Sequence, residues 1–265
     1  MVDSQGRRGR RQEVMSNHNR CWIWGRNVVL ETVGAGYWPV LELLVGSNTD
    51  GKLLDETLRM AERMQIAVAV VTEAELSRAC RSADHQGFAA RMMPFPCRSL
   101  AELLPLLSAN ATVAVLDRLQ DSFNFGAIVR CASTLGVDGI VIGNHEQAEI
   151  NSQVARSSAG AINHLPIAQV DDLVRAIDQL RERGFQVVAA SEKAQTPVYE
   201  ADFRGAVVVI IGNEGRGIRP ELLSRCDLSV SIPMTGQVGS LNAAVAAGVL
   251  FYEIRRQRLA LPQAR

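Results

Sequence analysis

The chain has 265 residues, enough for one large domain or two modest ones with a real core either way. Its 28 basic and 28 acidic residues cancel, which at first sight disfavours a nucleic-acid partner, and no apolar run reaches membrane-spanning length. The five cysteines (Cys21, Cys80, Cys97, Cys131, Cys226) are scattered and form no C-x-x-C, and the four histidines are equally dispersed. The sequence therefore predicts reduced thiols in a cytoplasm, with neither a disulfide framework nor a metal site.

Residues 1–20 carry Arg7, Arg8, Arg10, Arg11 and Arg20 against Asp3 and Glu13. They read as a solvated basic tail with no apolar segment behind it for a signal peptide, and Met15 is an alternative start. Lys52 and Lys193 are the only lysines; every other basic residue is arginine. The guanidinium fork suits phosphate and base stacking, and a GC-rich genome gives the same bias. From residue 21 to 92, apolar runs of strand length (VLELLVG at 40–46, IAVAVV at 66–71) alternate with helical spacing over 50–64. Thr72 and Glu75 form a capping box that opens a further helix. This pattern predicts a small α/β domain. At 92–98 the stretch MMPFPCR breaks regular pairing and marks a linker, so residues 93–110 read as a linker and connecting helix.

From Thr112 onward a second pattern repeats, taking residues 111–265 as the second domain. It runs through a strand TVAVLD, a helix over 124–135, a strand GIVIG, a helix beginning near Ser152 and the segment HLPIAQV. It continues with a helix over 171–183 closed by Gly184, strands FQVVAA and AVVVIIG, a short helix at 220–225, LSVSIP, and a final helix over 240–257. Strands apolar throughout and alternating with helices predict a parallel sheet covered on both faces, with ligands at the carboxyl ends of its strands.

Three strand-to-helix junctions should share that edge. In DRLQDSFNFGAIVR (117–130), Asn124 is read as the helix N-cap and Gly126 allows close backbone approach. Arg130, six residues on, is expected along a similar side of the helix. In GNEGRGIRPE (212–221), three glycines surround Asn213, Glu214 and Arg216 at the end of a buried strand. In IPMTGQVGSLNAAVAAG (232–248), Pro233 turns the backbone away from the sheet, Ser240 sits where an N-cap belongs, and Asn242 follows. The small residues after it predict a helix buried on most sides. Each junction also has a plain structural explanation as a cap, a surface turn or a packed helix.

The segments N-F-G-A-I-V-R, G-N-E-G-R-G-I and I-P-M-T-G-Q-V-G-S-L-N-A-A-V-A, in that order, resemble the three signature motifs of the SpoU/TrmH family of SPOUT methyltransferases. The likeness covers residues 112–258, with Ser122 departing where many members carry proline. DHQGFAARMMP (84–94) is similar to the substrate-binding domain of the ribosomal RNA guanosine-2′-O-methyltransferases of that family, a small α/β domain like a ribosomal protein. The resemblance implies an α/β fold whose C-terminal parallel sheet holds a trefoil knot, a homodimer through that domain, and S-adenosylmethionine as cofactor. That cofactor has no phosphates and needs no phosphate loop. Gly212, Ile232, Met234 and Leu241 match the family's cofactor-contacting positions. Arg130, Glu214, Asn124, Ser240 and Asn242 match its catalytic ones, with Arg130 expected to act as an electrostatic anchor because a guanidinium is a poor base. Arg156, Ser157 and Ser158 are expected at the RNA backbone. His85 is a further RNA-contact candidate or, on the plainer view, a structural turn histidine. Trp22 and Trp24 could stack on bases or pack in a core.

The expected activity is methylation of a ribose 2′-hydroxyl in structured RNA, foremost a guanosine of large-subunit ribosomal RNA. Transfer RNA is the alternative substrate, and a non-catalytic RNA-binding or assembly protein is the alternative class. A dinucleotide oxidoreductase lacks its fingerprint here.

Overall fold

The computed structural model describes residues 22–237 and 239–260; the basic tail at 1–20 and Cys21 lie outside them. The chain divides into two compact units, one extending to Pro96 and including Ile150–His164, the other comprising Cys97–Glu149 and Leu165 onward.

The first unit runs β1 (Trp22–Trp24), α1 (Arg26–Ala35), β2 (Val40–Gly46), α2 (Gly51–Arg63), β3 (Ala67–Val71), α3 (Glu73–Cys80) and β4 (Phe88–Met92). Its four-stranded sheet has the order β1-β4-β2-β3, with β2 and β3 parallel and the other pairs antiparallel. The capping box forms as expected: Thr72 Oγ1 accepts from the Glu75 amide at 3.3 Å, and Glu75 Oε2 accepts from the Thr72 amide at 2.8 Å. Trp24 packs with Leu44, Leu76, Cys80 and Ala89, so of its two expected roles the structure shows core packing.

The second unit begins with α4 (Leu100–Leu103), a 3₁₀ turn (Leu104–Leu106), β5 (Thr112–Asp117), α5 (Ser122–Leu135) and β6 (Gly139–Gly143). After α6 (Ser152–Ser157) come β7 (Ile167–Val170), α7 (Leu173–Glu182), β8 (Gln186–Ala190), β9 (Thr196–Pro197), β10 (Val207–Gly212), α8 (Pro220–Leu223), β11 (Leu228–Ser231) and α9 (Ala243–Leu259). Seven strands in the order β7-β6-β5-β10-β8-β11-β9 make an entirely parallel sheet. Every residue of β5 is buried, as are five of the six in β10, because helices cover both faces. From β5 the chain winds outward through β6 and β7, whereas β10 lies on the other side of β5 and pairs with it. The winding therefore reverses between β5 and β10, and their carboxyl ends, Asp117 beside Gly212, form the switch point where ligands bind in such sheets.

Residues Ile150–His164, read from sequence as part of the second domain, cluster with the first unit for visible reasons. The Arg156 guanidinium lies 5.2 Å from the centre of the Trp24 ring. Asn163 donates to Thr32 Oγ1 at 3.0 Å in buried surroundings, and His164 pairs with Glu31 at 2.6 Å.

Candidate active site

Two adjoining cavities open at the carboxyl edge of the parallel sheet. The first, of about 630 Å³, is lined by Gln120, Asp121, Asn124, Glu214, Ser240 and Asn242 together with Leu241 and Ala243. The second, of about 310 Å³, is framed by the ends of β10, β8 and β11, which are neighbours in the sheet. Its apolar wall includes Ile211, Ile218, Ile232, Met234, Leu241 and Leu250. Glu214, Ser240, Leu241 and Ala243 face both cavities.

Hydrogen bonds join the three junctions across the shared wall. Asn242 is the N-cap of α9, its Oδ1 accepting from the amides of Ala244 at 2.9 Å and Val245 at 3.4 Å. With that oxygen occupied, its Nδ2 donates to Asn124 Oδ1 at 2.9 Å, and Asn124 Nδ2 donates to Glu214 Oε1 at 3.0 Å. The helix amides thus fix one amide, that amide fixes the next, and the relay ends on a carboxyl oxygen of Glu214. Asn124 is 6% exposed, so truncating it strands two partners in a partly buried place.

The glycine loop is braced from below. Asn213 and Gly217 exchange backbone hydrogen bonds at 3.2 and 2.9 Å. A Cβ on Gly212 would meet the Gly217 carbonyl carbon at 2.4 Å and the Ile218 nitrogen at 2.5 Å, so only glycine closes this loop. Asn213 donates to the Arg118 carbonyl at 2.8 Å, while its own oxygen accepts from the amides of Gly215 and Arg216 at 3.0 Å. Fully buried Asp117 accepts from the Arg219 amide at 2.8 Å and from Arg219 Nε at 2.7 Å, which offsets the cost of burying its charge.

The structure brings Asn124, Glu214, Ser240 and Asn242 to the first cavity and Gly212, Ile232, Met234 and Leu241 to the second. It corrects three local readings. The N-cap of α5 is Asp121, whose carboxylate accepts from the Phe123 amide at 2.8 Å; Asn124 lies in the first turn, freed for its tertiary bonds. The N-cap of α9 is Asn242 rather than Ser240, because the helix starts only at Ala243. Arg130 does not share a side with Asn124: six residues at about 100° each leave the two well apart, with Asn124 buried and Arg130 exposed. Arg130 instead shares a face with Phe123, which is 59% exposed; it lines neither cavity and has no side-chain partner among the described residues.

α9 is likewise only half as covered as expected. Ala243, Ala244, Ala247, Leu250, Phe251 and Ile254 are buried, but Val245, Val249, Tyr252 and Leu259 form an exposed apolar stripe. His85 is 3% exposed, its Nε2 3.0 Å from Ser77 Oγ and its Nδ1 accepting from the Gly87 amide at 3.2 Å. Those are the surroundings of a turn histidine, the plainer of its two expected roles. Ser158 is buried with its hydroxyl donated to the Ala155 carbonyl, and Ser157 donates to the Gln153 carbonyl at 2.7 Å. Sequence reasoning passed over Glu192 and Lys193, which line the second cavity just past β8. Lys193's being one of only two lysines, directly after an apolar strand, was the available signal. Among the described residues no helix is long and apolar enough to cross a membrane, and no cluster suits a metal ion.

A putative TrmH-family tRNA/rRNA methyltransferase of Staphylococcus aureus (strain MSSA476) is 33% identical over 239 residues, covering 89% of this chain and 96% of that protein. An uncharacterized tRNA/rRNA methyltransferase of Mycolicibacterium vanbaalenii is 37% identical, covering 89% of this chain and 76% of that one. The crystal structure of the SpoU methyltransferase AviRb from Streptomyces viridochromogenes with AdoMet superposes with a TM-score of 0.78 at 27% identity, covering 92% of each chain. Residues 22–96 match the RNA 2′-O ribose methyltransferase substrate-binding domain. Residues 111–252 match the SpoU rRNA methylase family, and the chain belongs to that family.

Proposed function

We propose that this protein transfers a methyl group from S-adenosylmethionine to the ribose 2′-hydroxyl of a guanosine in large-subunit ribosomal RNA. The observation that carries the reading is the relay from Asn242 through Asn124 to Glu214, built at the wall that a slot of cofactor size shares with an open polar cavity. The slot fits the cofactor: it has an apolar wall for adenine, a glycine-edged backbone at Gly212, and no phosphate-binding motif. Gly212, Ile232, Met234 and Leu241 would hold the cofactor there, and its sulfonium supplies an electrophilic methyl.

The chain's own groups then hold the acceptor. Glu214, among the described residues the one carboxylate facing both cavities, accepts the hydrogen bond of the 2′-hydroxyl and aims its oxygen toward the slot. The hydroxyl's proton leaves to the adjacent RNA phosphate or water as the oxygen is methylated. Asn124 keeps Glu214 in place, and Ser240 and Asn242 complete the polar rim. Arg130 is a fixed cation suited to stabilising negative charge growing on that oxygen. Because it lies outside its own cavities, it acts in the second subunit of a homodimer. The stripe of Val245, Val249, Tyr252 and Leu259 on α9, a helix that packs on α5, supports that dimer. The threading of the glycine-bearing loops as a trefoil knot belongs to the same reading. The first unit, through residues 22–96, recognises the RNA.

The test is to map 2′-O-methylation in ribosomal and transfer RNA from cells with and without the gene. The reading predicts loss of one guanosine methylation in large-subunit ribosomal RNA. Loss confined to transfer RNA overturns the substrate, and no loss in any RNA overturns the activity.

A further inference from the structure

We infer that Glu192 and Lys193 form the receptor for the amino-acid end of the cofactor, Lys193 taking its carboxylate and Glu192 its ammonium. This rests on the cofactor reading above and assigns two residues that lie outside the family's signature motifs.

β8 lies between β10 and β11, and the second cavity is framed by the carboxyl ends of all three. Gly212 follows from β10 and Ile232 from β11, so the segment leaving β8 must form part of the same rim. That segment is Ser191-Glu192-Lys193, and all three residues line the cavity. Its course is fixed rather than loose. The Ser191 amide donates to the Val230 carbonyl at 2.9 Å, the Ala194 amide to the Ser191 carbonyl at 3.1 Å, and Ser191 Oγ accepts from the Lys193 amide at 3.3 Å. The turn brings two adjacent residues of opposite charge to the lining of the cavity.

Charge accounting isolates them. Among the described residues, four ionisable side chains line this cavity: Glu192, Lys193, Glu214 and Arg216. Glu214 is held by Asn124 at 3.0 Å, and Arg216 faces Glu146 at 3.6 Å. Glu192 and Lys193 have no ion-pair or side-chain hydrogen-bond partner among the described residues, although both line a cavity that also has apolar lining. S-adenosylmethionine joins an adenosine to an amino acid that carries an ammonium and a carboxylate. The apolar wall suits the adenine, and an unpaired acid and base side by side complement the amino acid's two charges. Neither residue belongs to the shared wall, so neither competes with the reacting hydroxyl.

A ligand series separates this role from general damage, since both side chains are exposed and neither supports the core. Binding would be measured by calorimetry for S-adenosylmethionine, its decarboxylated form, which keeps the amine, and 5′-methylthioadenosine, which lacks both charges. Lys193→Met should weaken S-adenosylmethionine by about tenfold and leave the other two within about twofold of wild type. Glu192→Gln should weaken the first two ligands and S-adenosylhomocysteine, which keeps the ammonium but has no sulfonium, and spare 5′-methylthioadenosine. Unchanged binding of S-adenosylhomocysteine places Glu192 at the sulfonium and overturns the ammonium assignment. Lys193→Met weakening all three equally, or none, overturns the carboxylate assignment. Glu192→Gln weakening 5′-methylthioadenosine places that residue on the ribose and overturns the ammonium assignment. Wild-type protein that binds none of the three contradicts the cofactor reading itself, an outcome distinct from failure of either assignment.

Discussion

The two cavities are built in physically different ways. The slot under Ile232, Met234 and Leu241 depends on shape: its backbone comes close because Gly212 has no Cβ, and its wall is apolar. The open cavity beside it depends on direction: Asn242, Asn124 and Glu214 are chained so that each donor and acceptor is assigned by the previous one. A slot of this kind tolerates apolar exchange that keeps volume, whereas a relay fails at any member because the others lose their partners. The contrast predicts that damage to the slot appears in cofactor affinity and damage to the relay in turnover.

The strongest break is between subunits. Arg130→Ala and Glu214→Ala should each lower turnover by at least about a thousandfold, with cofactor affinity within about twofold of wild type for Arg130→Ala. If Arg130 serves the neighbouring subunit, mixing the two inactive variants restores about a quarter of wild-type activity, because half the dimers carry one intact site. No recovery on mixing, with dimers formed, places Arg130 in its own subunit's site. Next, Gly212→Val forces a side chain against the backbone of Gly217 and Ile218. It should weaken cofactor binding by at least about a hundredfold and lower unfolding stability by about 3 kcal/mol, both measurable by calorimetry. Asn124→Ala should cost about 2 kcal/mol in denaturant unfolding and lower turnover with little change in cofactor affinity. An equal loss of cofactor affinity would merge the two cavities into one functional unit.

The smallest effect concerns buried thiols. Burial pushes the Cys80 thiol up to about 12, with Arg156 working weakly the other way, and pushes Cys97 and Cys226 up to about 11. Above the ordinary thiol value of 9.0 the unfolded chain releases protons that the folded chain retains, so stability should fall as pH rises past that point. At pH 8, iodoacetamide should modify Cys80 only after unfolding, as read by mass spectrometry. Rapid labelling of the native chain would place that thiol outside the core.

Much of this was legible in the sequence wherever a residue's role depends on its neighbours along the chain. The Thr72–Glu75 capping box, the uninterrupted apolar strands β5 and β10, and the glycine loop after β10 are all local patterns, and all are present. What stayed hidden depends on contacts far apart in sequence. Asp121, Ser122 and Asn124 can all cap a helix, and the choice of Asp121 goes with Asn124's engagement by residues 90 and 118 positions away. Arg130 and Asn124 lie on different faces because six residues at about 100° each turn the helix well past a common side. The exposed stripe on α9 was obscured because small residues cover both its faces, so composition gave no sign of which face the chain leaves open. Glu192 and Lys193 follow an ordinary buried strand, and only the strand order shows that β8 opens into the same slot.

The most direct trial of the central claim is methyl transfer itself. Purified protein would be incubated with methyl-labelled S-adenosylmethionine and large-subunit ribosomal RNA, the RNA digested to nucleosides, and the labelled product identified. The account predicts a 2′-O-methylated ribose from the wild-type protein and none from Glu214→Ala. Label on a base, or equal label from both proteins, would contradict it.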